Sequence, residues 1–414
     1  MTSDPAFRTA PRPSRPQLRA WRNAVFVVFG LVGFTMASWL SRVPAARDRL
    51  DASTGEMGLL AFAIALGSIA GLVASSHVIA RFGTVRTGPL CLAITGVALP
   101  IVGLGVALDA FGLVFAALLL YGLATGVGDV SLNVNGAANE RAIGRTLMPL
   151  FHAMFSVGTV IGVALGALGE VLGVPVLWHL TFSGVVTIVA TAIAARYLRP
   201  ELPDDHAAGR REDGEREDGW RERMAGWRTP RILLIGLTVL GMALAEGSAN
   251  DWLPLAMVDG HGLDNAAGAA VLGGFLAAMT VGRVAGAPLL DRFGRVAVLR
   301  VSGCLAIAGL LVVIVVPNPA VAVVGSIVWG LGAALGFPVG ISAAADDPRR
   351  AAANVSTVST IGYFGFLGGP PAIGFLAEHV GLLHALVLVL ALVVVATAAS
   401  GAARKRPASS ADER

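Results

Sequence analysis

An acidic side chain interrupts a long apolar stretch in the segment GVGDVSLNVNG. In a helix, Asp129 and Asn133 lie one turn apart on one face, and Gly122, Gly126 and Gly136 continue that face in steps of three and four. An ionised carboxylate in an apolar environment is costly unless it faces water, finds a partner or takes a proton. We therefore expect this face to point inward, with Asp129 carrying a proton and Asn133 binding a polar solute. A static hydrogen bond between helices is the alternative.

Two more ionisable side chains interrupt other apolar stretches. Glu246 and Asn250 lie one turn apart in LAEGSANDW, and His152 begins a polar series that continues with Ser156 and Thr159. Such groups within apolar helices are candidates for proton transfer and for the wall of a wet cavity. We predict that Glu246 and His152 take part in proton coupling and that Asn250 binds substrate. For the histidine, an ordinary packing role is equally compatible with the sequence.

Polar and aromatic residues near helix ends are further candidates for substrate binding. Trp39 and Arg42 occupy the end of the first apolar segment, Asp251 lies in the seventh, and Tyr363 follows a polar series in the eleventh. Arg42 is expected either to extend toward the nearby interface, to bind substrate, or to pair with Asp251 in a gate. An acidic residue is tolerated more easily near the membrane surface than at its centre. The alternative for Asp251 is therefore that it has no role in transport.

The composition requires a membrane protein. Of 414 residues, 55% are hydrophobic and only 14% are charged, whereas a soluble domain has about 25% charged residues. Apolar runs of about 20 residues, long enough to cross a bilayer, recur along the chain. The predicted fold is an all-α membrane protein whose twelve spans are 22–41, 57–79, 88–107, 111–137, 148–170, 175–196, 231–252, 266–289, 297–316, 320–344, 354–377 and 382–402. The pair Pro370-Pro371 is expected to break or bend the eleventh span, because proline has no backbone donor.

Short words recur in chain order with a nearly constant offset. CLAITG at 91–96 returns as CLAIAG at 304–309, and Trp39-Leu40 returns as Trp252-Leu253. Nearer to Asp129, Tyr121-Gly122-Leu123 returns as Trp329-Gly330-Leu331 with an offset of 208, and by this offset Phe337 is the counterpart of Asp129. The chain is therefore predicted to be two six-helix halves in the same orientation around a central cavity. The predicted parts are a tail at 1–21, a half at 22–196, a hydrophilic linker at 197–230, a half at 231–403 and a tail at 404–414.

Basic residues indicate the orientation. With the N-terminus inside, 27 of the 31 Lys and Arg residues fall on the cytoplasmic side. Cytoplasmic loops of membrane proteins are enriched in such residues, so both termini are expected in the cytoplasm.

A loop motif follows the second helix of each half. It is complete in the second half, as Asp291-Arg292-Phe293-Gly294-Arg295, and reduced to Arg81-Phe82-Gly83 in the first. Glycine permits a tight turn, while the charged groups can pair across neighbouring helix ends in a lock that opens and closes. The alternative is that these charges only set orientation. The candidates for gating are Asp291, Arg292, Gly294, Arg295, Arg81, Gly83 and Arg283. The last lies two turns inside its span and is expected to pair with a cytoplasmic-side acid or to contact substrate.

Two halves, a cytoplasmic linker and this loop resemble the major facilitator superfamily over residues 20–403. Within it, Asp129 followed by Asn133 is similar to the branch of fucose–proton symporters and their uncharacterised bacterial relatives. SWLSRVP at 38–44 and GYFGFLGGPPAIGFLAE at 362–378 are also similar to those relatives. The first span carries Thr35 and Ser38 where the fucose symporters have an acid.

The resemblance implies a proton-coupled transporter of a small polar solute, such as a sugar or related metabolite, in the bacterial inner membrane. The single lysine, Lys405, lies in the tail, so no nucleotide-binding P-loop exists, and neither metal-ligand spacing nor a serine elbow occurs. We expect no enzyme activity, no cofactor and no nucleic acid, and a monomer whose partners are a solute, protons and lipid. The alternatives are a proton-driven exporter of drugs or metabolites and a non-transporting membrane sensor.

Overall fold

The computed structural model describes residues 14–145, 147–200, 226–347 and 350–404. Every regular element in these ranges is helical. The helices are α1 (Arg15–Leu40), α2 (Val43–Leu50), α3 (Thr54–Phe82), α4 (Thr84–Ala107), α5 (Phe111–Ile143), α6 (Met148–Val171), α7 (Val176–Ala195), α8 (Pro230–His261), α9 (Asn265–Val315), α10 (Pro319–Ala333), α11 (Gly336–Ala344), α12 (Ala351–Val380), α13 (Leu382–Ala385) and α14 (Val387–Ala399). Most of the predicted linker and both predicted tails lie outside the described residues.

Eleven segments of the described chain are long and apolar enough to cross a membrane. The helix α12 is also long, at 30 residues, but its serine, threonine, glycine and proline content keeps it out of this group. It runs without interruption through Pro370 and Pro371, so of the two expected outcomes, a break or a bend, the break is wrong and the bend stays a prediction. Both prolines are accommodated within the helical run, whose backbone turns continue to Val380.

The two copies of the loop motif share one backbone conformation. Gly83 ends α3 with φ 72° and ψ 161°, and Gly294 interrupts α9 with φ 76° and ψ 164°. An L side chain rarely adopts these angles, so glycine is required at both turns. The predicted eighth and ninth spans are therefore two helices within α9, which are separated by the non-helical Gly294 just as α3 and α4 are separated by Gly83. The repeat seen in the sequence is present in the backbone.

Glycines bring helices of the N-terminal half into direct backbone contact. A Cβ atom at Gly126 would overlap the carbonyl oxygen of Ser68 on α3, and Gly122 is in similar contact one turn earlier. Gly158 on α6 meets the carbonyl of Gly30 on α1 in the same way. The expectation that the glycines beside Asp129 line the cavity is thus wrong for Gly122 and Gly126, because both pack against the backbone of α3.

The halves meet at one end of the bundle. Successive long helices alternate in direction, so α1 begins and α14 ends on the same side, called here the terminal side. On the opposite side α2 bridges the halves: Arg47 forms an ion pair with Asp259 of α8. Beside it, Asn265 of α9 donates a hydrogen bond to Asp48 at 2.9 Å. These contacts tie α2 to the start of the C-terminal half.

A second contact on the opposite side joins α3 to α12. The backbone N–H of Gly55 donates to Oε1 of Glu378 at 3.0 Å. One turn inward, Gly58 packs against Pro370 and Gly374, where an added Cβ would stand 3.0 Å from the Pro370 carbonyl oxygen. Together with the α2 contacts, this close packing shuts the opposite side.

Candidate solute and proton site

A cavity of about 1080 Å³ lies between the halves. Its mouth includes Asp291, Arg295 and Arg404, all at the terminal side, and its deeper wall includes His152 and Phe337. Because the halves are in contact only a few turns away on the opposite side, the cavity is open to the terminal side alone. The remaining lining residues are Glu246, Arg283, Leu290, Phe293, Gly294, Val296, Ala297, Leu335, Pro338, Val339, Ser342 and Phe366.

Asp129 on α5 is exposed rather than packed among neighbours. Nδ2 of Asn133 donates to its Oδ1 at 3.1 Å and to its backbone oxygen at 2.8 Å. The carboxylate lies within electrostatic range of His152 on α6 and of Tyr363 on α12. No arginine of the described residues forms an ion pair with it, so nothing there holds this carboxylate permanently ionised. Asp129 does not line the large cavity itself but borders a space of about 10 Å³ within the N-terminal half, beside Cys91 and Thr125. Because its side chain is exposed, the carboxyl group is able to exchange a proton with water.

His152 is exposed to the cavity and packs edge-on against Phe29, with ring centroids 5.3 Å apart. It lies within electrostatic range of both Asp129 and Arg283, and so stands between the charged groups of the two halves. Ser156 and Thr159, expected on the same wet wall, are buried and donate to carbonyls of their own helix. Only the histidine of this predicted series reaches the cavity.

Glu246 and Arg283 form an ion pair in the cavity wall. Nη2 of Arg283 lies 2.9 Å and 3.0 Å from the two carboxylate oxygens. Its Nε is 3.4 Å from the backbone oxygen of Ala334; the residue four positions later is Pro338, which has no N–H to donate to this carbonyl. The expectation that Arg283 pairs with an acid on the cytoplasmic side is therefore corrected: its partner is Glu246, and both belong to the central site rather than to the loop motif.

Three predicted substrate-binding residues lie away from this cavity. Trp39 and Asn250 are buried, and the Oδ1 atom of Asn250 has no hydrogen-bond partner. Asp251 faces a separate space of about 10 Å³ on the closed opposite side, bounded by α1, α3 and α8. The structure thus separates Asp251 from Asp129, although the sequence assigned both to one site.

Arg42 is only 2% exposed. Its Nε lies 3.1 Å from Oε1 of Glu170, and its Nη2 donates to the Val174 carbonyl at 2.6 Å. The guanidinium group therefore neither extends to an interface, lines the cavity nor pairs with Asp251. It joins the end of α1 to the end of α6 within the N-terminal half.

The loop motif pairs differently from the expectation. Asp291 and Arg292 are exposed, and the Arg292 guanidinium stacks over Phe293 at 5.3 Å. In the first half, Arg81 stacks over Phe82 in the same way, at 5.7 Å. Asp291 pairs with none of the described basic residues. The expected pairing of the motif's own aspartate is absent from the described part of the chain.

The engaged member of the motif is Arg295. Its Nη1 lies 2.6 Å from Oδ1 of Asp346, and Oδ2 of the same carboxylate lies 2.9 Å from Arg231 at the start of α8. Burial acts to raise the pKa of Asp346, but the hydrogen bonds from the two arginines outweigh it and hold the pKa below its ordinary value. Sequence reasoning missed Asp346, although its signal was visible: an acidic pair ends the tenth span in ISAAADDPRR.

Two bundles of apolar helices, related by an internal repeat and enclosing a polar cavity open to one side, define the class of secondary membrane transporters. The family model for the Major Facilitator Superfamily matches residues 25–365 and, in a second match, 252–413. The chain belongs to this superfamily of transporters.

Relatives over nearly the full length support this membership. An uncharacterized MFS-type transporter of Yersinia pestis is 30% identical over 384 residues, covering 92% of this chain and 94% of its own. An uncharacterized transporter of Sinorhizobium fredii is 32% identical over 394 residues, covering 92% and 99%.

Solved structures show the same fold at low identity. The nucleoside transporter NupG superimposes with a TM-score of 0.72 at 15% identity, covering 94% of this chain and 100% of its own. A D-xylose–proton symporter gives 0.69 at 13% identity, covering 94% and 98%. The Escherichia coli fucose–proton symporter FucP gives 0.61 at 13%, covering 93% and 98%. At these identities the likeness concerns the fold alone.

Proposed function

We propose that this chain is a proton-coupled secondary transporter of a small polar solute of the sugar or related metabolite class. The observation that carries the proposal is Asp129: a carboxylate exposed between the halves, without an arginine or lysine partner among the described residues. Tyr363 from the other half lies within its electrostatic range, so a solute bound here touches both halves. Protonation of this group is thereby coupled to the arrangement of the halves.

The groups around Asp129 and in the cavity wall favour a polar solute with ring faces or hydroxyl groups. Asn133 and Tyr363, near Asp129, offer amide and phenol groups, and Phe337 and Phe366 in the cavity wall offer flat apolar surfaces. Hydroxyl groups need such paired donors and acceptors when they leave water. The names of the D-xylose–proton and fucose–proton symporters, which share the fold, agree with this solute class. The Asp129–Asn133 spacing supports our proposal that the chain belongs to the branch of the fucose–proton symporters and their bacterial relatives.

The proposed topology has twelve spans, with α12 as the eleventh, and both termini in the cytoplasm of a bacterium. The supporting observation is that 27 of 31 Lys and Arg residues belong, in the sequence, to the predicted tails and loops on one side of the membrane. The cavity then opens to the cytoplasm, and the structure corresponds to an inward-facing state. Protonation of Asp129 from outside favours solute binding and reorientation, and loss of the proton to the cytoplasm resets the carrier.

The decisive experiment is solute flux in proteoliposomes. Labelled pentoses, hexoses and nucleosides are offered with and without an inward proton gradient. We expect Asp129→Asn to lower gradient-driven accumulation at least about tenfold while preserving exchange without a gradient, because the carrier still reorients but no longer releases a proton. Unchanged accumulation in this variant would refute the role of Asp129.

The matched control is Asp51→Asn. Asp51 lies at the end of α2 with φ 46°, a conformation that asparagine also adopts readily. It is exposed and outside the cavity. Transport by this variant should equal that of the unaltered chain.

A second candidate function is proton-driven export of larger amphipathic compounds. The observation in its favour is the cavity volume of about 1080 Å³, which exceeds what a monosaccharide fills. The same liposomes, loaded with a cationic dye and given the opposite gradient, distinguish the two: an exporter expels the dye and ignores the sugars.

A further inference from the structure

A second carboxyl group lies between the halves, on the closed opposite side. Asp251 of α8 faces a space of about 10 Å³, enough for about one water molecule. The walls of this space are uncharged: Trp39, Leu40, Val43, Met57, Leu60, Ala61 and Trp252. Asp251 is only partly exposed, and all of these wall residues but Trp252 belong to the N-terminal half, so its burial depends on the contact between the halves.

Asp251 has no hydrogen-bond or ion-pair partner among the described residues, and none of their charges lies within its electrostatic range. The charged groups of the surrounding elements are engaged elsewhere. Arg42, after α1, forms an ion pair with Glu170, and Asp259, two turns along α8, forms one with Arg47. Two other carboxylates accept hydrogen bonds from backbone N–H groups: Glu56 on α3 from Ser53, and Glu378 on α12 from Gly55. Nothing in the enclosure compensates a negative charge.

An unpaired carboxylate cannot be moved from water into such an enclosure without a large cost, whereas a neutral carboxylic acid can. When the halves separate on the opposite side, α8 parts from α1 and α3, and the group meets bulk water again. The charge of Asp251 and the closure of this side therefore oppose each other.

We propose that Asp251 is a second proton-binding site, whose carboxyl group must be protonated for the opposite side to close. It takes its proton from the medium on that side and favours the conformation seen here. Asp251 does not line the open cavity in this conformation. In this proposal it controls closure of the opposite side, whereas Asp129 carries the transported proton. The inference rests on the proposed function only in treating this closure as a step of transport.

The other titratable groups on the opposite side either stay ionised over the tested pH range or lie outside the space around Asp251. The hydrogen bonds from Ser53 and from the Gly55 N–H hold the pKa of Glu378 below its ordinary value of 4.5, so it stays ionised above that pH. His261, His379 and His384 do not line the space around Asp251. Substitution of Asp251 alone therefore isolates its contribution.

The test is a distance measurement between the halves without solute or gradient. Spin labels are placed at Leu108→Cys and Pro317→Cys, exposed sites at the opposite-side ends of the two halves, with Cys91 and Cys304 replaced by serine. From about pH 5 to about pH 9, the open-to-closed ratio of the otherwise unaltered chain should rise, by up to about tenfold per pH unit through the titration range. Asp251→Asn, a neutral analogue of the protonated acid, should stay closed and lose this dependence.

Two further variants complete the design. Asp259→Asn removes the Arg47 partner on the same helix and should change the ratio but keep its pH dependence. Asp129→Asn should also keep the pH dependence of the ratio. If flux assays show that Asp129 is not the proton carrier, the proposal for Asp251 is therefore unaffected. A pH-independent ratio before substitution, or an unchanged pH dependence in Asp251→Asn, overturns the proposal.

Discussion

Arg42 is a buried charged residue of the N-terminal half, and replacing it with a neutral residue should lower the stability of the protein. It is 2% exposed, and its partner Glu170 is 16% exposed. Removing one member of such a pair leaves the other charge buried without compensation, which costs about 3–5 kcal/mol. We expect Arg42→Ala to lower the free energy of unfolding in mixed micelles by about this amount.

The matched control for Arg42 is Arg49→Ala. Arg49 pairs with Asp109 at 3.6 Å, and both side chains are more than half exposed to solvent. Exposed pairs contribute at most about 1 kcal/mol, so this variant should unfold almost as the unaltered chain does. Equal losses in the two variants would contradict the structural role given to Arg42.

At the residue scale, the unusual side chains could be identified from the sequence, but the pairs that they form could not. An arginine after the first span and an acid ending the fifth were both visible, but their pairing depends on α1 and α6 being neighbours. The pairing of Glu246 with Arg283 likewise joins two different spans. Asp129 could be placed from helical periodicity alone, because that argument needs only its own helix.

At the element scale, Gly126 sets the distance between α3 and α5. We expect Gly126→Ala to destabilise the chain by about 1–3 kcal/mol, because the new methyl group overlaps the Ser68 carbonyl and forces the two backbones apart. Thermal unfolding of the purified protein measures the change. Gly112→Ala on the same helix, where nothing lies within 4 Å, should leave the midpoint unchanged or raise it.

The ends of α8, α9 and α11 are joined through Asp346, and this junction should depend on pH. Because the pKa of Asp346 is lowered in the folded state, its contribution is fully present above the ordinary value of 3.8 and is lost as the pH falls through the lower folded-state value. We expect Asp346→Asn to cost about 2 kcal/mol at neutral pH, with the difference from the unaltered chain narrowing in acid.

Unfolding midpoints measured across pH check this expectation. Asp291→Asn, which removes an exposed acid of the same loop region that pairs with none of the described residues, is the control and should change little. A constant difference between Asp346→Asn and the unaltered chain down to acidic pH would be inconsistent with the described ion pairs.

Periodicity predicted the long helices well, and the repeated Arg-Phe-Gly predicted turns that Gly83 and Gly294 do form. The break between α10 and α11 was not predicted, although the sequence carries a signal for it: Pro338 has no N–H to bond the Ala334 carbonyl four residues earlier. That Arg283 of α9 bonds this carbonyl instead depends on tertiary structure.

For the whole molecule, the closed opposite side depends on small residues at the contact of the halves. Gly58 has no room for a side chain, because the Pro370 carbonyl and the Cα atom of Gly374 lie within 3.0–3.4 Å of where a Cβ would be. We expect Gly58→Trp to exclude the closed arrangement and to populate the conformation open on the opposite side. The label pair at positions 108 and 317 reports the change as a longer distance.

Gly112→Trp adds the same bulk at a site with open space around it and should keep the short distance. If Gly58→Trp keeps it too, the contact of α3 with α12 is not what closes this side.

The turn at Gly294 has a practical consequence for dissecting the protein. Only Gly294 separates the two helices within Asn265–Val315, so the chain has no spare length at this turn. An epitope or protease site inserted there would have to unwind helical turns that carry Arg283 on one side and Arg295 on the other.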